Sequence, residues 1–382
     1  MKRKILTVVG ARPQIIKASA VSRCIAANFS DQLEEVIIHT GQHYDDDMSQ
    51  VFFDELRLPA PKFHLGIGEA TLECPTAAMM AKLRKIFELE KPTAILVYGD
   101  TNSTLAAALE ASFLAIPLIH IEAGLRSFNK NMPEEINRIL TDHMSTMLFA
   151  PTSTALANLE REGFAIHNTQ TVNRDHPAVQ HCGDIMLDNA LFFRKIAMAN
   201  VGILSGLNIS AGNFFLATVH RGFNTDDPEK LSAIMEALIR IGTDARMPVI
   251  LPLHPRTAKM LNLPDLVELM SRLLTTPFIR MMGPVSYLDM IVLESNAALI
   301  FTDSGGVQKE AFFFQKPCVI LRPQTEWVEL VENGNAIIAD TDPDKIFKAY
   351  KYFMGEIQLS WPPIFGNGKA AIAICRQIMA TI

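Results

Sequence analysis

The residues of this chain best suited to chemistry are carboxylates and histidines placed directly after short apolar runs. Asp100 closes ILVYGD, His120 and Glu122 close LIHIEAG, His220 closes FFLATVH, His254 closes VILPLH, and Asp303 and Ser304 close LIFTDSGG. A polar residue at such a point sits at a loop edge, and singly each would serve as a helix cap or turn residue. Glu122 asks for more, because a carboxylate on an otherwise apolar strand end is costly unless it is paired or used. Residues 126 to 138, RSFNKNMPEEINR, follow it. There Pro133 suits the first helical position, and Glu134 and Glu135 fall in the first turn, where negative charge favours the helix dipole. That structural role is sufficient for one of the two glutamates. Several carboxylates around one pocket would raise some of their pKa values, as acid–base chemistry at neutral pH requires.

A second feature suits an anion. Ser304, Gly305 and Gly306 lie between a buried strand and the helical pattern GVQKEAFFF. Glycines let backbone N–H groups approach an anion, and a helix N-terminus adds partial positive charge. The turn is not the GxxxxGK[ST] of an ATPase, nor does GARPQIIK, residues 10 to 17, carry GxGxxG. Arg12 and Lys17 on this first strand-to-helix turn either face the same phosphates or the sugar, or cover a solvated helix end. The stretch 39 to 49, HTGQHYDDDMS, is a poor metal site, and Asp45 to Asp47 read as caps of a following helix. No metal and no cofactor are expected.

The elements that must carry these residues alternate. KILTVV, EEVIIHT, PTAILVYGD and IPLIHIEAG read as strands, separated by helical patterns that include the segment after Pro13, MSQVFFDEL and TNSTLAAALEASFLA. FFLATVH, PVILPLH and AALIFTD repeat the logic in the second half. This order predicts α/β domains with parallel sheets covered on both faces, and ligands then bind beyond the carboxyl ends of the strands. At 382 residues the chain is too long for one ordinary core, so two such domains are expected. The join falls in TVNRDHPAVQHCGD, with residues 1–182 before it and 183–365 after it. The segment from Phe365 to Ile382 reads as one amphipathic helix returning to the first domain.

Composition removes several classes. A net charge of −6 without a basic stripe argues against nucleic-acid binding. No apolar stretch reaches the ~18 residues of a membrane span, and the run Ile5 to Val9 is too short for a signal peptide, so it reads as the first strand. Five scattered cysteines without CxxC argue against disulfide or zinc frameworks and fit a reducing cytoplasm.

The motifs GARPQIIK, HTGQHYD, YGDTNST, HIEAGLRSFNKNMPEEINR, GDIMLDNA, ATVHR, PLHPRT, PVSYLDM, TDSGGVQKEAFFFQKPC and TEWVE resemble, in order, the non-hydrolysing UDP-N-acetylglucosamine 2-epimerase family. RSFNKNMPEEINR, QKEAFFFQKPC and TEWVELV are most similar to a subgroup that epimerises UDP-2,3-diacetamido-2,3-dideoxy-glucuronate to the mannuronate for surface polysaccharides. The resemblance implies two Rossmann-like domains of glycosyltransferase-B type, an active site in the inter-domain cleft and a homodimer. It implies elimination of UDP to a 2-acetamidoglucal and re-addition after protonation on the opposite face. Catalytic roles then fall on Asp100, Glu122, Glu134 and His220. Contacts to the UDP-sugar fall on Arg12, Lys17, Arg138, His254, Ser304, Gly305, Gly306 and Glu310, with Glu310 on the ribose. Which carboxylate is base and which is acid stays open. So does the substrate, with UDP-GlcNAc the alternative, and a glycosyltransferase, a hydrolysing relative and a binding module are the rival readings. Arg126, Lys309 and Arg322 are the candidate partners for a uronate carboxylate. Phe223 stands where the family commonly has Glu and Ala11 where it commonly has Thr. The family's allosteric QHxQ element reads Gln42-His43-Tyr44-Asp45, with Ala70 in place of its Arg, so activation by a second UDP-GlcNAc is not expected.

Overall fold

The computed structural model describes residues 2–41, 53, 56–67, 74–167, 170–199 and 202–382. The expected caps Asp45 to Asp47, most of the helix expected at MSQVFFDEL, and the Gln42–Asp45 and Ala70 positions lie outside the described residues. Two compact units emerge, one of Met1–Asn189 with Pro363–Ile382 and one of Ala190–Pro362.

The first unit is built on β1 (Arg3–Val9), β2 (Leu33–His39), β3 (Phe63–His64), β4 (Ala94–Tyr98), β5 (Leu118–Ile121), β6 (Met147–Ala150) and β7 (Ala178–His181). They form one sheet in the order β3-β2-β1-β4-β5-β6-β7, with every pairing parallel. Strands covered by helices on both faces are apolar throughout, which is why AILVY of β4 is buried at each position. The second unit holds β8 (Phe215–Thr218), β9 (Val249–Pro252), β10 (Ile279–Met282), β11 (Leu299–Thr302), β12 (Cys318–Ile320) and β13 (Ala336–Ile338). Their order is β10-β9-β8-β11-β12-β13, again all parallel. Counted within each unit, the second sheet runs 3-2-1-4-5-6, the Rossmann order, and the first adds a seventh strand to it, 3-2-1-4-5-6-7. Its switch point, where neighbouring strands run on to opposite sides, lies between β1 and β4 in one unit and between β8 and β11 in the other.

Helix starts follow the sequence signals. Thr101 caps the helix Asn102–Phe113 by accepting the Thr104 N–H at 3.3 Å, and Pro133 opens the helix Pro133–Met144. The C-terminal helix is shorter than the reading from Phe365. It spans Ala370–Thr381, because Gly366 and Gly368 take left-handed φ of 84° and 72° and keep the preceding chain irregular. Asp188 accepts the N–H groups of Ala370 and Ala371 at 3.0 and 2.9 Å and so caps that helix from outside it.

Replacing Asp188 by Ala leaves two helix-end donors without this partner. A loss of about 1–2 kcal/mol is expected, read as a fall of a few degrees in the midpoint of thermal unfolding; an unchanged midpoint would show that the cap contributes nothing.

Candidate active site

In the first unit, the acids stand at the carboxyl ends of β4 and β5. Gly99 and Asp100 follow β4. Gly99 has a φ of 62°, and a Cβ there would lie 3.2 Å from both Glu122 Oε2 and Lys17 Nζ. Only glycine allows this turn and the close approach of the pair behind it. Lys17, on the helix Arg12–Cys24, is ion-paired with Glu122, and both side chains are nearly buried. Glu122 has a φ of 75°, an uncommon conformation for a residue with a Cβ.

Asp100 is held differently. Arg138 Nη2 donates to its Oδ2 at 2.5 Å, while Arg138 itself is almost fully buried on the helix Pro133–Met144. Asn137 Nδ2 on that helix donates to the Asp100 carbonyl at 2.9 Å and to Asn102 Oδ1 at 3.1 Å. Burial raises the Asp100 carboxyl above its ordinary value; Arg138 and Lys17 pull it down, and the charges of Glu122 and Glu134 push it up again. The outcome is a raised pKa on a side chain that still keeps 34% of its exposure. Asp100, Glu122, Glu134, Lys17 and Arg138 therefore share one electrostatic neighbourhood.

The two adjacent glutamates part company. Glu134 is exposed at the first turn of its helix, whereas Glu135 is buried and accepts the Ser127 N–H at 2.8 Å, the Ser127 hydroxyl at 2.9 Å and the Phe128 N–H at 3.0 Å. Glu135 thus ties down the loop before the helix, and Glu134 keeps its carboxylate for solvent or a ligand. Arg12 sits exposed at the start of its own helix. Behind it Gln14 accepts the Gly10 N–H at 2.8 Å and donates to the Tyr98 carbonyl at 2.8 Å, which joins the ends of β1 and β4 at the switch point.

In the second unit the polar residues also gather at the switch point. Asp303, wholly buried after β11, accepts the backbone N–H of His220 at 3.0 Å, that of Arg221 at 2.9 Å and Asn224 Nδ2 at 3.1 Å. His220 Nδ1 lies 3.4 Å from the same carboxylate. Burial lowers the His220 pKa; Asp303 opposes this, while Arg221 and His254 add to it. The His254 ring lies 5.6 Å from that of His220, and its Nδ1 accepts the Arg256 N–H at 3.2 Å. Ser304 precedes the helix Gly305–Phe313 without a side-chain cap bond, and no acidic residue occupies that helix's first turn. The Arg322–Glu326 ion pair borders this helix start: Glu326 Oε2 and Arg322 Nη1 lie 3.6 and 3.8 Å from where a Cβ on Gly305 would stand. Glu310 is buried further along, with Tyr287 Oη 3.5 Å from its Oε1.

Two cations proposed for a uronate are ion-paired within the protein. Arg126 is buried against Asp142 Oδ2 at 2.8 Å and Glu162 Oε2 at 2.6 Å, and Arg322 pairs with Glu326 at 2.8 Å. Lys309 lies buried with its ammonium 4.1 Å from the Trp327 ring centroid. Sequence reasoning missed Asn137, Gln14 and the anchoring role of Asp303. Amide side chains inside helical patterns look like surface residues until the neighbouring loop is placed. Among the described residues no group of three or more His, Cys, Asp or Glu is arranged to hold a metal ion, and no helix is long and apolar enough to cross a membrane.

Two parallel sheets in Rossmann order, each with polar residues gathered beyond the carboxyl ends of its strands, define a two-unit α/β protein of the kind that binds ligands at those ends. The chain belongs to the UDP-N-acetylglucosamine 2-epimerase family, whose model matches residues 26–379. It is 46% identical over 375 residues to UDP-2,3-diacetamido-2,3-dideoxy-D-glucuronate 2-epimerase of Pseudomonas aeruginosa, covering 98% of this chain and 99% of that one. A UDP-N-acetylglucosamine 2-epimerase homolog of Methanococcus maripaludis is 45% identical, covering 97% and 98%. The crystal structure of the Methanocaldococcus jannaschii UDP-GlcNAc 2-epimerase in complex with UDP-GlcNAc and UDP superposes with a TM-score of 0.85, at 40% identity over 99% of both chains.

Near Glu310 lies a buried acid with no visible duty. Glu294 is fully buried, and neither carboxyl oxygen has a hydrogen-bond partner among the described residues. Burial, then the charge of Glu310, raises its pKa well above the ordinary value. Unfolded, it loses its proton above about pH 4.3; folded, it keeps it. The folded state then binds more protons, so stability falls as pH rises above that point until the folded pKa is passed, by at most about 1.4 kcal/mol per pH unit. Glu294→Met should remove this fall and stabilise the protein increasingly between pH 5 and 8. Parallel wild-type and variant melting curves across that range would show that Glu294 is not a strained acid.

Proposed function

We propose that the chain inverts C2 of a UDP-2-acetamido sugar without hydrolysing it. One carboxylate of the first unit takes the C2 proton. The C1–O bond breaks with its electron pair going to the departing UDP, and a 2-acetamidoglucal with a C1=C2 bond remains. A second carboxylic acid protonates C2 from the opposite face as UDP adds back to C1. Asp100, Glu122 and Glu134 supply the base and the acid. Burial holds the Asp100 carboxyl above its ordinary value against the pull of Arg138 and Lys17, which suits a group that must carry a proton at neutral pH.

His220, Arg12 and the Ser304-Gly305-Gly306 helix start take the growing charge of the diphosphate, where fixed donors contribute most. Glu310 takes the ribose hydroxyls and His254 the edge of the same anion site. The observation that carries this reading is the raised Asp100 carboxyl, set among Glu122, Glu134 and two buried cations. A glycosyltransferase or a binding module has no need for so many acids around one sugar carbon.

For substrate we favour UDP-2,3-diacetamido-2,3-dideoxy-glucuronate, converted to the mannuronate for surface polysaccharide, in line with the Pseudomonas aeruginosa relative. The Methanocaldococcus jannaschii structure with UDP-GlcNAc supports UDP-GlcNAc as the second reading. The reading includes a cytoplasmic location and a homodimer, for which the exposed Phe113, Ile136 and Leu140 on packed helices of the first unit offer an apolar face.

The enzyme incubated in deuterated water with each UDP-sugar and no acceptor should place deuterium at C2 of both epimers and accumulate no UDP. Lasting UDP release would favour hydrolysis, and an unlabelled, unchanged sugar would overturn the proposal. Glu122→Gln and Asp100→Asn should each lower kcat by about 10²–10⁴-fold. The ratio of kcat/KM for the two UDP-sugars decides the substrate.

A further inference from the structure

We propose that His120 and Asp142 are positioning residues that fix the spacing of the three carboxylates and thereby set kcat. This rests on the reading that those carboxylates act on the substrate. Neither side chain is exposed at all. His120 Nε2 donates to the Gly99 carbonyl at 2.8 Å, and its Nδ1 meets Asp142 Oδ1 at 2.6 Å. Asp142 Oδ2 accepts the Gly124 N–H at 3.1 Å and Arg126 Nη2 at 2.8 Å. Burial would raise the Asp142 carboxyl, but His120 and Arg126 outweigh it and hold it below its ordinary value.

Each end of this pair grips an element that carries an acid. Gly99 directly precedes Asp100. His120 and Gly124 stand two residues before and two after Glu122. Asp142 lies on the helix whose first turn bears Glu134 and whose next bears Arg138. Glu122 itself has left-handed backbone, and the N–H groups of Glu122 and Ala123 both point to the Phe149 carbonyl at 3.1 Å. A strained backbone at a working residue persists only where its surroundings over-determine it, and the His120–Asp142 pair grips the chain on both sides of it. Both ring nitrogens of His120 face acceptors, so a substitute must supply two donors in fixed directions to keep both loops in place. Glutamine supplies them from one atom only, and asparagine at 142 keeps a single acceptor oxygen.

His120→Gln should lower kcat about 100-fold, the scale of a displacement of about 1 Å at a reacting centre, while KM stays within about threefold. UDP affinity should not change, since neither residue belongs to the proposed diphosphate contacts. Asp142→Asn should fall between wild type and His120→Gln, and Asp142→Glu, which restores the charge but not the reach, should not rescue fully. Wild-type kcat in folded His120→Gln, or a rise in KM at constant kcat, would overturn the proposal. If His120→Gln does not fold, Asp142→Asn decides by the same readouts. A wild-type enzyme that puts no deuterium at C2 would sink the reading above, whereas an active wild type with equally active variants sinks this inference alone.

Discussion

Carboxylates do not gather at one edge of a sheet without help. Like charges repel strongly where the dielectric is below that of water, and the charges of Glu122 and Glu134 both act on Asp100. Lys17 and Arg138 make the arrangement tenable. Both are largely buried, so their charge is fixed in place and weakly screened. Lys17 pairs with Glu122 and Arg138 with Asp100, and the charge of both acts on Asp100. The balance is incomplete at Asp100, where burial wins and the proton is held more tightly than in water. A site that must give a proton on one face and take one on the other needs such asymmetry.

The second unit solves the complementary problem. Its switch point offers backbone donors and a buried carboxylate that points inward. Asp303 spends its lone pairs on the His220 and Arg221 N–H groups and on Asn224. The loop after β8 is thereby locked to the loop after β11, and the helix that starts at Gly305 has no acid in its own first turn, the nearby Glu326 being paired with Arg322. Asp303 is thus committed to holding two loops together, although its place at a strand end gives it the look of a reacting group.

The alternation of apolar runs and helical patterns made both parallel sheets legible, because doubly covered strands such as β4 are apolar at every position. The strand-end rule likewise placed Asp100, Glu122, His220 and Ser304 just beyond the carboxyl ends of β4, β5, β8 and β11, where they stand. What the sequence hid were contacts between loops. Glu134 and Glu135 are indistinguishable in a run of letters, yet only folding turns Glu135 under the Ser127–Phe128 backbone and leaves Glu134 out. Arg126 looked like a partner for a uronate and is instead consumed by Asp142 and Glu162. The C-terminal helix began later than its apolar pattern did, since two glycines with left-handed backbone hold the preceding turn open.

Family membership sets the reaction class, and the mechanism proposed for it turns on reversible cleavage of the C1–O bond. The most direct test is positional isotope exchange with UDP-sugar carrying ¹⁸O in the bridge between C1 and phosphorus. Cleavage and re-formation of the C1–O bond should move the label into non-bridging positions of the β-phosphate at a rate that keeps pace with epimerisation. Epimerisation at C2 with the label still in the bridge would contradict the account.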